Sequence, residues 1–255
     1  MANLIRFENS DIVNDVQKVV TSTWSDNTNN LQVSFTSSAQ AVFTTATSSG
    51  AHFIEVHHNA STASAQFAVA YGHRAGSGSL DFTNDTGAIG ISPSRNIYNQ
   101  YRQLVFGDET SDFSFNGHVP DSIFVINVNR ARYKHNLKPG TLDLKISQSS
   151  TAANSPELRL TDDSVTTTGS ATVTNAGRQF NIVSGSLGTM SGSQLTQVPS
   201  TSGSYGFFYP DTGIIILNGD AISHRVESCA VTASANTANN NHEKLVQHIS
   251  AASHF

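Results

Sequence analysis

Cysteine is nearly missing from this chain: Cys229 stands alone. An intramolecular disulfide is therefore impossible, and a thiolate metal cluster has no ligand set to draw on. Charge is also scarce, at 13% of residues, where about a quarter is usual for a globular domain. The balance is acidic, −5, so no global basic field exists to hold nucleic acid, and nucleic acid is not an expected partner. No run approaches the roughly 20 apolar residues that span a bilayer, so no membrane span is expected. The opening MANLIRFENS lacks a basic region followed by an apolar core, which predicts no secretory signal and folding in a reducing cytoplasm. No GxSxG elbow, P-loop or zinc-protease spacing occurs, so no enzymatic activity and no cofactor are expected.

What fills the space is Ser, Thr, Asn and Gly, with 37% hydrophobic residues spread along the whole length. Recurrent short apolar runs between polar loops are the pattern of a β-rich protein. The expected fold is mainly β with a few helices, an α+β chain on an antiparallel sheet or sandwich core with a small inserted β element. The expected organisation is a main β-rich domain over 1–146, a Ser/Thr/Gly-rich inserted element over 147–204, and a hairpin and terminal helix over 205–255 that return to the main domain.

The stretch from Ser92 to Ile146 holds the clearest local signals. Ser92 suits an N-cap and Pro93 the first helical position. Ile97, Tyr101, Leu104 and Val105 then form an apolar stripe, and Gly107 ends the helix. SIFVINV is near-continuously apolar, as a central strand would be. Pro139-Gly140 makes a turn, and Leu142, Leu144 and Ile146 alternate as a strand with one buried face.

Elsewhere, Ile12, Val13, Val16, Val19 and Val20 fall at helical spacing, although their β-branching leaves a strand open. LQVSF, AVFTT, HFIEVHH and AQFAVAY are candidate strands. Tyr71–Gly90, rich in Gly and turn formers, reads as a long ordered loop. YGFFYPDTGIIILN reads as a hairpin turning at Pro210–Gly213. A last helix is expected around Leu245, Val246 and Ile249.

Candidate chemistry is sparse. His52, Glu55, His57 and His58 sit close together in HFIEVHH. On a strand, His57 shares a face with Glu55; a metal could use such a pair with other ligands, and solvated polar residues are the plainer reading. Asp81, Asn84 and Asp85 could contact calcium but miss the EF-hand spacing, and side-chain-stabilised turns account for them. Asp162 and Asp163 are adjacent and read as a turn. His73 and Arg74, beside the GSGS loop, could meet a partner's carboxylate or backbone carbonyl. Arg130, Arg132, Lys134, His135 and Lys138 form the main basic group. On a strand, Arg130, Arg132 and Lys134 would share one face and could pair with a neighbouring subunit's carboxylates, or be merely solvated.

Three segments, FAVAYGHRAGSGSLDFTNDTGAIGISPSRNIYNQYRQLVFGDE, DSIFVINVNRARYKHNLKPGTLDL and YGFFYPDTGIIILN, resemble structural proteins of contractile-tailed bacteriophages, the myoviruses, especially those of cyanobacteria. The resemblance implies a virion protein of the viral tail, in the wedge region of the baseplate. It would be assembled in the host cytoplasm and present in multiple symmetric copies against other tail and baseplate subunits. The expected protein-interface residues are His73, Arg74, Arg130, Arg132, Lys134 and Lys138. The resemblance also implies further sequence beyond the last helix. A receptor- or glycan-binding tail module is the alternative, with Tyr205, Phe207, Phe208 and Tyr209 as candidate stacking residues; a tail-associated hydrolase is the remote one.

Overall fold

A computed structural model describes residues 31–32, 42–44, 53–57, 65–78, 93–133, 135–147, 157–166, 171–191, 204–232 and 241–253. The expected first helix and the residues 79–90 of the expected loop lie outside these residues, as do His52 and His58.

The fold grows outward from SIFVINV. Its seven residues form β5 (Ser122–Val128), buried at every position but Asn127. Successive side chains on a strand point to opposite faces. Phe124, Ile126 and Val128 accordingly join one apolar cluster, while Ile123 and Val125 join another. A strand apolar on both faces must be covered on both, so it belongs in the middle of a sheet. It is flanked by β4 (Ala65–His73) and β12 (Ile214–Asn218), with Val125 opposite both Ala70 and Ile216.

The remaining strands are β1 (Leu31–Gln32), β2 (Val42–Thr44), β3 (Phe53–His57), β6 (Asp143–Ser147), β7 (Glu157–Asp162), β8 (Thr172–Thr174), β9 (Gly177–Ser186), β10 (Thr189–Met190), β11 (Gly206–Tyr209) and β13 (Ile249–Ser253). They form one antiparallel sheet in the order β1-β13-β6-β7-β9-β11-β12-β5-β4-β3-β2, with β8 and β10 each paired to β9. The chain is thus mainly β with few helices. The segment read as an inserted element is woven into the sheet: β7 and β9 bridge β6 to β11.

One face carries a single apolar cluster running from Ile54 on β3 to Ile249 on β13. Such continuity across the strand order requires the sheet to curl. The curl closes on α3 (Asn241–His248), which touches β3 and β4 on one limb and β6 and β13 on the other. Leu245 and Val246 are buried on this helix as their spacing predicts, whereas Ile249, expected on the same helical face, is buried as the first residue of β13. A short helix, α2 (Gly219–Arg225), is capped by Asn218, whose side chain accepts from the amides of Asp220 and Ala221. It adds Ala221 and Ile222 to the same interior.

The other face is covered by α1 (Pro93–Phe106) and the segment after it. Gly107 closes α1 at φ +77°, donating its amide to the Gln103 carbonyl at 3.0 Å. A chain of rings then crosses to β11: Tyr98 edge-on to Phe113 at 5.4 Å, Phe113 stacked on Phe115 at 6.3 Å, and Phe115 against Phe207 at 4.6 Å. Each such buried ring contributes about 1.5–3 kcal/mol by leaving water. The buried side of α1 is Ser94, Tyr98, Tyr101, Arg102 and Val105. Leu104, expected in the stripe, is 40% exposed. Arg102 takes the inward position because Asp112 and the Glu109 carbonyl receive its guanidinium.

Among the described residues no helix is long and apolar enough to cross a membrane.

A candidate assembly surface

β4 does not stop where a loop was expected. It continues through Tyr71 to His73, so the first residues of that stretch are strand. His73 then accepts from the Ala75 amide through Nδ1 at 3.0 Å. Burial pulls its pKa below the ordinary histidine range, with Asp121 opposing. Arg74 is exposed, yet it is engaged within the chain. Its guanidinium lies 2.6 Å from Asp121 and 3.2 Å from Asp112, and the two carboxylates raise its pKa. Asp112 also receives Arg102, whose ring-facing side lies 4.8 Å above Tyr98. Arg74 therefore belongs to a network that fastens α1 and the following segment to the end of β4.

At the same end, His118 Nε2 meets Asp220 Oδ2 at 2.7 Å. That contact joins the outer covering segment to α2.

The basic group departs from expectation. Alternation of Arg130 and Arg132 on one strand face does not occur, because Arg130–Arg132 is a single 3-10 turn. Asn129 causes the change: its side-chain oxygen accepts from the Ala131 amide at 3.0 Å, which ends the extended run. Arg130 donates to the Tyr133 carbonyl at 2.6 Å and lies 4.6 Å over that ring. Arg132 donates from Nε to the Ala65 carbonyl at 3.4 Å. His135 and Lys138 are exposed. Lys134 lies outside the described residues.

The two sets of expected interface residues are not one patch. The β4–β5 register runs from Phe67↔Val128 to His73↔Ser122. Arg74 follows one end of this ladder and Arg130 the other, so they are farther apart than the ladder's own length of roughly 20 Å at about 3.4 Å per residue.

The basic end adjoins an open groove of about 540 Å³ lined by Pro139, Ser164, Val165, Ala171, Val173, Arg178 and Phe180. Val165 and Val173 are 56% and 76% exposed. Arg178 is held by Asp211 through a 2.6 Å contact and its own backbone amide. Burial works to raise the Asp211 pKa, but these hydrogen bonds outweigh it and hold the carboxyl below its usual range.

Beneath the groove, Asp162 ends β7 and Asp163 follows it into a turn, both buried. Asp162 accepts from the Gly140 amide at 2.6 Å, the Leu142 amide at 3.3 Å and the Ser164 hydroxyl. Burial still lifts its pKa above the ordinary carboxylate value. Asp163 accepts from the Asn181 amide at 2.9 Å and its side-chain nitrogen at 2.8 Å. Both carboxylates shape turns and strand ends, and the expected turn begins at Asp163, whose carbonyl accepts from the Thr166 amide at 3.0 Å.

Glu55 lies on β3, flanked by the buried Ile54 and Val56. Among the described residues no three of His, Cys, Asp and Glu converge on a point that could hold a metal ion. Burial pushes the Cys229 thiol up to about 12, which makes it inert as a nucleophile. Tyr205, Phe207, Phe208 and Tyr209 are all buried, and none presents a ring for stacking on a ligand.

Comparison with protein-family models, curated proteins and solved structures found no match.

Proposed function

We propose that this chain is a structural subunit of a contractile phage tail, in the wedge region of the baseplate, acting through contacts with other tail proteins and without catalysis. The resemblance of the three quoted segments carries this reading. Those segments supply β4, β5 and the β11–β12 hairpin, which are neighbours in the middle of the sheet, and α1, which packs against β4. The carboxylates and guanidinium groups around them are taken up in internal pairs such as Arg102–Asp112 and Arg178–Asp211. Side chains committed in this way brace a fixed shape, and a fixed shape is what a subunit needs to hold its neighbours in register.

The receptor- or glycan-binding alternative loses its candidate residues, because the rings from Tyr205 to Tyr209 are interior. Mass spectrometry of purified virions, followed by a particle reconstruction, tests the proposal. The expected result is this chain at a symmetric position in the baseplate. Its absence from the particle, or a location in the capsid, would overturn the assignment.

A further inference from the structure

Two Asn-Gly pairs occur in the sequence, Asn116–Gly117 and Asn218–Gly219. Such a pair carries its own chemistry. The asparagine side-chain amide is an electrophile next to the backbone nitrogen that follows it, and a glycine there has no side chain to block the approach. The fold decides whether the two groups are free to meet.

The second pair is held fast. Asn218 is wholly buried. Its Oδ1 accepts from the amides of Asp220 and Ala221, and its Nδ2 donates to the Ser204 carbonyl at 2.9 Å. Gly219 starts α2, where a Cβ would lie 2.1 Å from Ser122 Oγ. The first pair is placed differently. Asn116 and Gly117 are both exposed and form the turn of a small bridge in which Phe115 faces His118. Two bonds close that turn, from the Phe115 amide to the His118 carbonyl at 2.7 Å and from the His118 amide to the Phe115 carbonyl at 3.0 Å; the Gly117 amide takes part in neither. Asn116 stands at φ +50° and Gly117 at +85°. Left-handed backbone is costly for a residue with a Cβ, so rotation away from it is not opposed by local preference. No atom lies within 4 Å of a Cβ built on Gly117, which leaves the peptide between the two residues room to turn.

We propose that Asn116 is a site of self-modification, at which the chain ages by deamidation and isomerisation. The Gly117 nitrogen loses its proton to base and attacks Asn116 Cγ. A C–N bond forms, the side-chain nitrogen leaves as ammonia, and a cyclic imide remains. Water then opens the ring at either carbonyl, giving aspartate or isoaspartate at position 116. No oxidant or cofactor enters. Both products place a new carboxylate in the turn, and isoaspartate also threads an extra methylene through the main chain. A two-residue turn closed at both ends has no slack for it, so the bridge opens at His118. His118 is the residue whose Nε2 meets Asp220 at 2.7 Å, and Phe115 belongs to the chain of rings beneath. The modification therefore slackens the join between the outer covering segment and α2.

The test ages the full folded chain in mildly alkaline and in mildly acidic buffer. Proteolytic peptides are mapped by mass, and isoaspartate is counted with an isoaspartyl methyltransferase and labelled S-adenosylmethionine. The Asn116 peptide should gain the mass of an amide-to-acid exchange and take label. It should react faster at the alkaline pH, and at least roughly tenfold faster than the Asn218 peptide. In urea the two rates should converge, because the fold no longer protects Asn218. Asn116→Gln, whose longer side chain closes a ring less readily, should stay unlabelled at that position. Amide hydrogen exchange at Phe115 and His118 should quicken in the aged native chain and not in aged Asn116→Gln. Equal rates at the two asparagines in the folded chain, an Asn116 that stays intact when folded yet reacts in urea, or exchange at His118 that ageing leaves unchanged would each overturn the proposal.

Discussion

A Cβ placed on Gly213 would lie 2.7 Å from the Tyr133 ring. The same ring donates its hydroxyl to the Thr212 carbonyl at 2.7 Å. The hairpin turn and the basic segment are thereby locked to each other, and Gly213 holds φ +70° within that lock.

Gly213→Ala should therefore cost about 2–4 kcal/mol, combining left-handed backbone strain with a steric clash against an aromatic ring. Tyr133→Phe keeps the ring and should cost only about 1 kcal/mol. Urea denaturation followed by tryptophan-independent far-UV signal would measure both; equal losses for the two variants would contradict this account.

Arg102 and Arg74 both reach Asp112, but their side chains are 10% and 41% exposed. Arg102→Met should lower stability by about 3 kcal/mol, because it breaks a largely buried pair that also anchors the Glu109 carbonyl. Arg74→Met should lower it by less than about 1 kcal/mol. Thermal unfolding of the two variants decides between this order and its reverse.

Asp162→Ala would strip the Gly140 and Leu142 amides of their acceptor. A loss of about 2–4 kcal/mol is expected from buried donors left without partners. Asp162→Asn retains an acceptor oxygen and should lose less. Amide hydrogen exchange at Gly140 and Leu142 gives the local readout: both should exchange faster in the alanine variant, and unchanged rates would refute the assignment.

Burial lowers the pKa of His248, which meets the Ser147 carbonyl at 3.0 Å, and of His73. A histidine whose folded pKa is depressed binds fewer protons folded than unfolded. Stability should thus be steady above the unfolded value, near 6.5, and fall as pH drops below it toward the folded pKa values. The carbonyl can only accept, so Nδ1 carries a proton in the native contact; that bond opposes the lowering, and burial outweighs it. Unfolding free energies between pH 8 and 5 should decline more steeply for the native chain than for His248→Gln; parallel curves would remove His248 as the cause.

Much of the fold was readable because its signals are local. SIFVINV is apolar at consecutive positions, Pro93 and Gly107 bracket a helix, and Pro210–Gly213 has turn chemistry. What the sequence hid depends on distant partners. Arg102 is buried because Asp112 awaits it, and Leu104 is left in water by the same rotation of the helix. ISAAS has small, weakly patterned residues, yet it forms β13 because β1 and β6 supply its hydrogen bonds. Asn129 was a visible cue for the turn at Arg130, outweighed by the strand pattern just before it. The groove at Val173 had no signature at all, since exposure is a property of packing and not of residue type.

The position of α3 also bears on when the molecule can exist. Its partners on β3 and β6 lie far apart along the chain, and β13 completes the sheet beside β6. Long-range closures of this kind make folding slow. A ribosome must release residues 241–253 before the two limbs can meet over a shared interior. Until then the apolar lining from Ile54 to Leu160 lacks the cover that α3 provides. Emergence of α3 and β13 thus acts as a checkpoint: only a chain carrying both can close the two limbs over one interior.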